Sequence, residues 1–157
     1  MILGINHVAL SVPDFDKAAE FYCTHLGFEK VFETGWERTD EDIPSQILEV
    51  KGTSARVGHL KQANLLIELF EFISPDVEAQ DPNRPVVNHG YTHICFAVTD
   101  IQAEHKRLGE AGVRWHCEPL EVGPGVFSVY GRDPFGNVIE IEEAIGREIP
   151  FAPPMTN

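Results

Sequence analysis

Four residues in this 157-residue chain have the types and setting for metal chemistry: His7 in "INHVAL", Glu68 in "LLIELFEF", His93 in "YTHICFAV" and Glu140 in "VIEIEE". Each is a polar side chain set among large apolar neighbours in a strand-like run. An ionised carboxylate there costs several kcal/mol unless it is paired or bound to a cation. Two imidazoles and two carboxylates form a mixed N2O2 donor set for a divalent ion. With four protein ligands, a six-coordinate ion keeps two adjacent positions open for substrate.

The four residues recur in register. "THICFAVTDI" at 92–101 repeats "NHVALSVPDF" at 6–15, so His93 follows His7 by 86 residues, and Glu140 follows Glu68 by 72. The chain therefore reads as a duplicated strand–helix–three-strand unit, with a His on the first strand and a Glu on the last strand of each copy. Module one spans about 3–73, a linker 74–90, module two 91–145 and a Pro-rich tail 146–157, all within one domain.

The elements that must position these residues are legible from capping and periodicity. A strand at about 5–12 places His7, Ala9 and Ser11 on one face. Asp14 caps a helix whose inner stripe is Phe15, Ala18, Ala19, Tyr22 and Leu26, with Gly27 at its end. Strands are expected at 28–34, 55–61 and 64–72, and Pro44 starts a short helix in the ambiguous stretch 35–52. In module two Asp100 begins a helix with Ile101, His105 and Leu108 inward and Gly112 at its end, and strands follow at about 113–117, 126–131 and 137–143. The fold class is α+β: two tandem βαβββ modules in a curved mixed sheet around a metal-containing cavity.

Composition excludes other classes. The formal charge of −13 repels nucleic acid and anionic membrane surfaces. No run approaches the length of a membrane span, and the N-terminus lacks the pattern of a secretory signal, so a soluble, cytoplasmic protein is expected. Cys23, Cys95 and Cys117 have no C-x-x-C spacing and read as free thiols. His25, His59, His89, His105 and His116 have no counterpart across the repeat at these offsets and read as structural or solvated. Trp36, Phe70, Phe72, Trp115, Phe127 and Tyr130 could line a cavity, and Arg56 and Lys61 could meet an anionic substrate.

"NHVALSVPDFDKAAEFYCTHLGF", "LLIELFEF", "YTHICFAVTDI" and "YGRDPFGNVIEIEE" together resemble the vicinal oxygen chelate superfamily over about residues 3–145. The superfamily includes glyoxalase I and methylmalonyl-CoA epimerase. The resemblance implies metal ligands at His7, Glu68, His93 and Glu140, in an order like that of bacterial-type glyoxalase I, and one divalent ion: Ni, Co, Zn, Mn or Fe. It implies a homodimer and a small substrate with vicinal oxygens, whose enolate or enediolate the metal stabilises. It also implies Glu140, then Glu68, as the proton-transfer base, in a lyase or isomerase. Tyr130, Arg56, Phe70 and Trp36 are the substrate-binding candidates. "VYGRDPFGNVIE" also resembles the signature of Fe(II) extradiol dioxygenases, with Tyr130 in the site. A metal-free binding protein on the same fold is the third reading.

Overall fold

The computed structural model describes residues 1–39 and 43–146. The chain divides at Ala79/Gln80 into two compact units, each an α+β unit with its own mixed sheet.

In the first unit, strand β1 (Val8–Ser11) leads into helix α1 (Phe15–Leu26). Asp14 accepts from the Lys17 backbone N–H, and Gly27 closes the helix at φ 73°, the left-handed conformation that glycine adopts without a Cβ penalty. Strand β2 (Glu29–Trp36), the short helix α2 (Ile43–Leu48), β3 (Ser54–Gln62) and β4 (Leu65–Ser74) follow. The sheet order is β1-β4-β3-β2, with β1 parallel to β4 and the other pairs antiparallel.

Alternation along the strands sorts the two faces. Ile67, Leu69 and Leu60 are fully buried, as are Phe15 and Tyr22 of α1. Gly58 makes room for this packing: a Cβ there would stand 2.4 Å from the Phe15 ring. Burial of such side chains contributes about 1.5–3 kcal/mol each. The other face carries Glu68, Phe70 and Phe72 on β4, opposite His59, Val57 and Ala55 on β3.

The second unit repeats the plan. Strand β5 (Ile94–Ala97) precedes α3 (Ile101–Glu110), and β6 (Arg114–Trp115), β7 (Leu120–Gly123), β8 (Val126–Arg132) and β9 (Val138–Ala144) complete the sheet. The order is β5-β9-β8-β6, with β5 parallel to β9 and β7 also paired to β8. Ile139, Ile141, Val129, Ile101 and Leu108 are buried between α3 and the sheet. Trp115 joins them over Gly131, where a Cβ would stand 2.5 Å from its ring. Trp115 therefore belongs to the helix side of the sheet, away from the face of Glu140.

Three expectations need correction. The hydrogen-bonded strands form two sheets, one per unit, instead of one continuous sheet. The strand expected over 113–117 is only two residues long, and a further strand, β7, appears at 120–123. Pro119 lies between them and lacks the backbone N–H that a continuous ladder needs. The helix expected to end at Gly112 ends one residue earlier, on Ala111. The Pro-rich tail from residue 147 lies outside the described residues.

A pair of glutamates that the repeat contains was not singled out by pattern. Glu71 accepts from the Phe15 backbone N–H at 3.1 Å, and Glu143, 72 residues later, accepts from Asp100 and Ile101 at 2.8 and 3.1 Å. Each carboxylate satisfies orphan donors at a helix N-terminus, where the helix dipole favours negative charge.

Candidate metal centre

The first unit gathers three donors. His7 lies just ahead of β1, β1 runs parallel to β4 with Ala9 opposite Glu68, and His59 on β3 is the register partner of Glu68. Register thus places both imidazoles on the face of Glu68. His7 Nε2 lies 3.2 Å from Glu68 Oε2, and His59 Nε2 lies 3.3 Å from Glu68 Oε1. One donor atom from each of the three lies within 4.8 Å of the other two. Donors about 2.1 Å from an ion are about 3 Å apart at right angles and about 4.2 Å apart across it, so the group fits a divalent ion.

The tautomer supports the same conclusion. His7 Nδ1 lies 2.8 Å from Asn6 Oδ1, and the tautomer that donates to this oxygen leaves Nε2 as the ligating nitrogen. A bare Nε2 lone pair facing a carboxylate oxygen is repulsive. A positive charge between them, a proton or a metal ion, removes that repulsion.

In the second unit His93 Nε2 lies 3.0 Å from Glu140 Oε2, with His93 Nδ1 2.8 Å from Thr92 Oγ1. Glu140 is buried, and its other oxygen, Oε1, accepts a very short hydrogen bond from the buried Ser128 hydroxyl. Tyr130 is the register partner of Glu140 and stands edge-on to His93 at 4.7 Å between ring centroids. Desolvation raises the Tyr130 phenol above its ordinary value, and the charge of Glu140 and a hydrogen bond to it raise it further. Cys95, opposite Glu140 on an exposed edge strand, is pushed up to about 12 by partial desolvation of its thiol, then by Glu140 and Glu142. It is a poor nucleophile and a poor ligand at neutral pH.

The structure pairs His7 with Glu68 and His93 with Glu140, each pair within its own unit. It also adds two residues that sequence reading passed over. His59, expected to be structural or solvated, faces Glu68, and Ser128 holds Glu140. His59 escaped because its counterpart is a tyrosine and is displaced by one place: His59 precedes its partner Glu68 by nine residues, and Tyr130 precedes its partner Glu140 by ten.

The substrate-binding candidates separate. Trp36, Phe70 and Phe72 form an aromatic cluster on the Glu68 face, with Phe70 and Phe72 stacked at 5.3 Å and the Trp36 Nε1–H donating to Thr53 Oγ1. Tyr130 stands beside Glu140. Arg56 does not reach that side: its guanidinium lies 4.3 Å over the Phe15 ring, on the helix side, and donates to Asp16 and Glu33. It alternates with Val57, so its side chain leaves the opposite face of β3 from His59.

Comparison with known proteins agrees with this architecture. The family model for the glyoxalase/bleomycin resistance protein/dioxygenase superfamily matches residues 4–141. The chain belongs to this superfamily. It is 30% identical over 146 residues to the 2-epi-5-epi-valiolone epimerase of an Actinomyces species, covering 88% of this chain and 78% of that protein. A glyoxalase family protein of Bacillus cereus shares the fold with a TM-score of 0.81 at 21% identity, over 93% of this chain and 97% of that one. The fosfomycin resistance protein FosX of Listeria monocytogenes, solved with Mn(II) and sulfate, has a TM-score of 0.60 at 18% identity, over 93% and 96%. Among the described residues, no helix is long and apolar enough to cross a membrane.

Proposed function

We propose that the chain is a divalent-metal-dependent isomerase of epimerase type, which moves a proton at a carbon next to a carbonyl in a small substrate with vicinal oxygens. The observation that carries this reading is the pairing of imidazole Nε2 with carboxylate oxygen at 3.0 to 3.3 Å in both units, with the Nδ1 of His7 and His93 tied to a neighbouring side chain. The donors this reading uses are His7, His59 and Glu68 in the first unit, and His93 and Glu140 in the second. When bound, the metal acts as a Lewis acid that lowers the cost of negative charge on a substrate oxygen.

The chain's own residues do the rest. Glu140 removes the proton, because Ser128 keeps hold of one of its oxygens while the other turns to the substrate. Glu68 is the second candidate base. Tyr130, hydrogen-bonded to Glu140 and held protonated by its raised pKa, orients the carboxylate and can donate to a substrate oxygen. The aromatic cluster of Trp36, Phe70 and Phe72 offers an apolar wall on the sheet face of Glu68.

The epimerase among the relatives favours isomerisation over the lyase branch. A homodimer in the cytoplasm belongs to the same reading, and light scattering at twice 17.5 kDa tests the dimer. The activity test is deuterium wash-in. The metal-loaded protein is incubated in D2O with 2-epi-5-epi-valiolone, and loss of a substrate C–H signal is followed by proton NMR. Exchange that stops in Glu140→Gln is the expected result. No exchange with this substrate or with simple α-hydroxyketones contradicts the reading.

A further inference from the structure

A second cluster of side chains lies in the second unit, apart from His93 and Glu140. A cavity of about 170 Å³ is lined by Pro82, Asn83, Arg84, Arg114, His116 and Arg132, among others, and among the described residues no carboxylate lines it. Three of the chain's 12 basic residues thus meet in one pocket of a protein with net charge −13.

Sheet register fixes how they meet. Arg114 on β6 pairs with Arg132 on β8, and the His116 backbone N–H donates to the Tyr130 carbonyl at 2.9 Å. Arg132 is two residues beyond Tyr130, so both side chains leave the same face of β8, about 7 Å apart along the strand. The cavity therefore shares the sheet face that carries Glu140.

The arginines are held open by part of their hydrogen-bonding capacity. Buried Arg132 donates to the carbonyls of Gly136 and Arg84, Arg114 donates to Pro82 O and Asn83 Oδ1, and Arg84 donates to the carbonyls of Asn88 and His89. A guanidinium has five N–H donors, so each retains capacity for a ligand. The nearby Asp133 carboxylate accepts from Phe135 N, Asn137 N and Asn137 Nδ2 in the turn. Three like charges in one pocket repel one another, and an anion lowers that cost. The His116 imidazole is held below its ordinary value by desolvation and then by Arg132 and Arg114, which reports the same positive potential.

We propose that this cavity is a phosphate-binding subsite, taking free phosphate or the phosphoryl group of a small ester through Arg84, Arg114 and Arg132. Planar guanidinium forks suit a tetrahedral oxyanion, and the volume admits a phosphoryl group with a short substituent. The proposal rests on the second unit alone and does not depend on the metal reading.

Calorimetric titration of the full chain, stripped of metal with EDTA, tests it with inorganic phosphate and with methyl phosphate. Removing metal first ensures that any binding is not phosphate on an ion. The expected result is saturable one-site binding at millimolar or lower concentration, weakened about tenfold by Arg114→Gln and by Arg84→Gln and partly kept by Arg114→Lys. Methyl phosphate binding as well as inorganic phosphate assigns the site to an ester, and inorganic phosphate alone assigns it to the free ion. Circular dichroism confirms that each variant is folded, and the two Gln variants stand in for each other if one is not. A ligand-dependent rise in the melting temperature of the unaltered chain is the independent readout. Absence of saturable binding to the unaltered chain, or full-strength binding by both folded Gln variants, overturns the proposal.

Discussion

His59 and Tyr130 occupy the same place in the two units: each is the register partner of the carboxylate on the last strand, His59 of Glu68 and Tyr130 of Glu140. The first unit thereby offers two imidazoles to one carboxylate, and the second offers an imidazole, a phenol and a hydroxyl. On the proposed reading, this asymmetry assigns metal holding to the first unit and the mobile base to the second. His59→Ala is expected to weaken metal affinity about tenfold to a hundredfold, as loss of a ligand or its supporting partner does. Tyr130→Phe is expected to leave metal content unchanged and lower turnover. Competitive chelator titration with both variants checks the split.

The two glycines under the sheets are expected to be intolerant. Gly58→Ala sets a methyl 2.4 Å from Phe15, and Gly131→Ala sets one 2.5 Å from Trp115 with Val113 at 3.0 Å. Overpacking of this kind costs about 1–3 kcal/mol. Urea unfolding of the two variants should show lower midpoints with unchanged slopes.

Glu71 and Glu143 hold the N-termini of α1 and α3. Replacing either by Gln weakens the charge-assisted bonds, and replacing either by Ala removes them, at about 0.5–2 kcal/mol each by analogy with helix caps. Thermal melts of Glu71→Ala and Glu143→Ala should fall, with the Gln variants between them and the unaltered chain.

The duplicated architecture was readable because the same physical signals occur twice. Asp14 and Asp100 cap helices, and the expected stripes contain the buried Phe15, Ala18, Tyr22 and Leu26 of α1 and Ile101 and Leu108 of α3, while Ala19 and His105 are half-buried and buried Phe21 was not expected. The His–Glu pairs were readable because a parallel first and last strand set them side by side. His59 was not, because its counterpart is displaced by one place and is of a different type. Arg56 misled because a cation on a strand reads equally well for either face. Only the register and the Phe15 ring show that it lies on the helix side. Strand β7 was hidden by the proline that interrupts the preceding strand.

Acid should destabilise the first unit in a defined direction. Asp14, Asp16 and Glu33 titrate below their ordinary values of 3.8, 3.8 and 4.5, held down chiefly by hydrogen bonds from Lys17, Arg56 and Lys30 respectively, with Arg56 also bonding Glu33. A carboxylate with a lowered folded value contributes stability that is fully present above its unfolded value and is lost as pH falls through the folded one. Stability should therefore decline below about pH 4.5, and an Asp16→Asn/Glu33→Gln variant should decline less steeply. Urea midpoints taken across about pH 2–6 check both statements.

The most direct measurement is elemental analysis of the purified chain beside a His7→Ala/His93→Ala double variant. About one divalent ion per chain, from the group Ni, Co, Zn, Mn and Fe, lost in the double variant and not regained on titration, is the predicted result. A chain that carries no such ion and takes none up, or a double variant that holds metal as the unaltered chain does, would contradict the account.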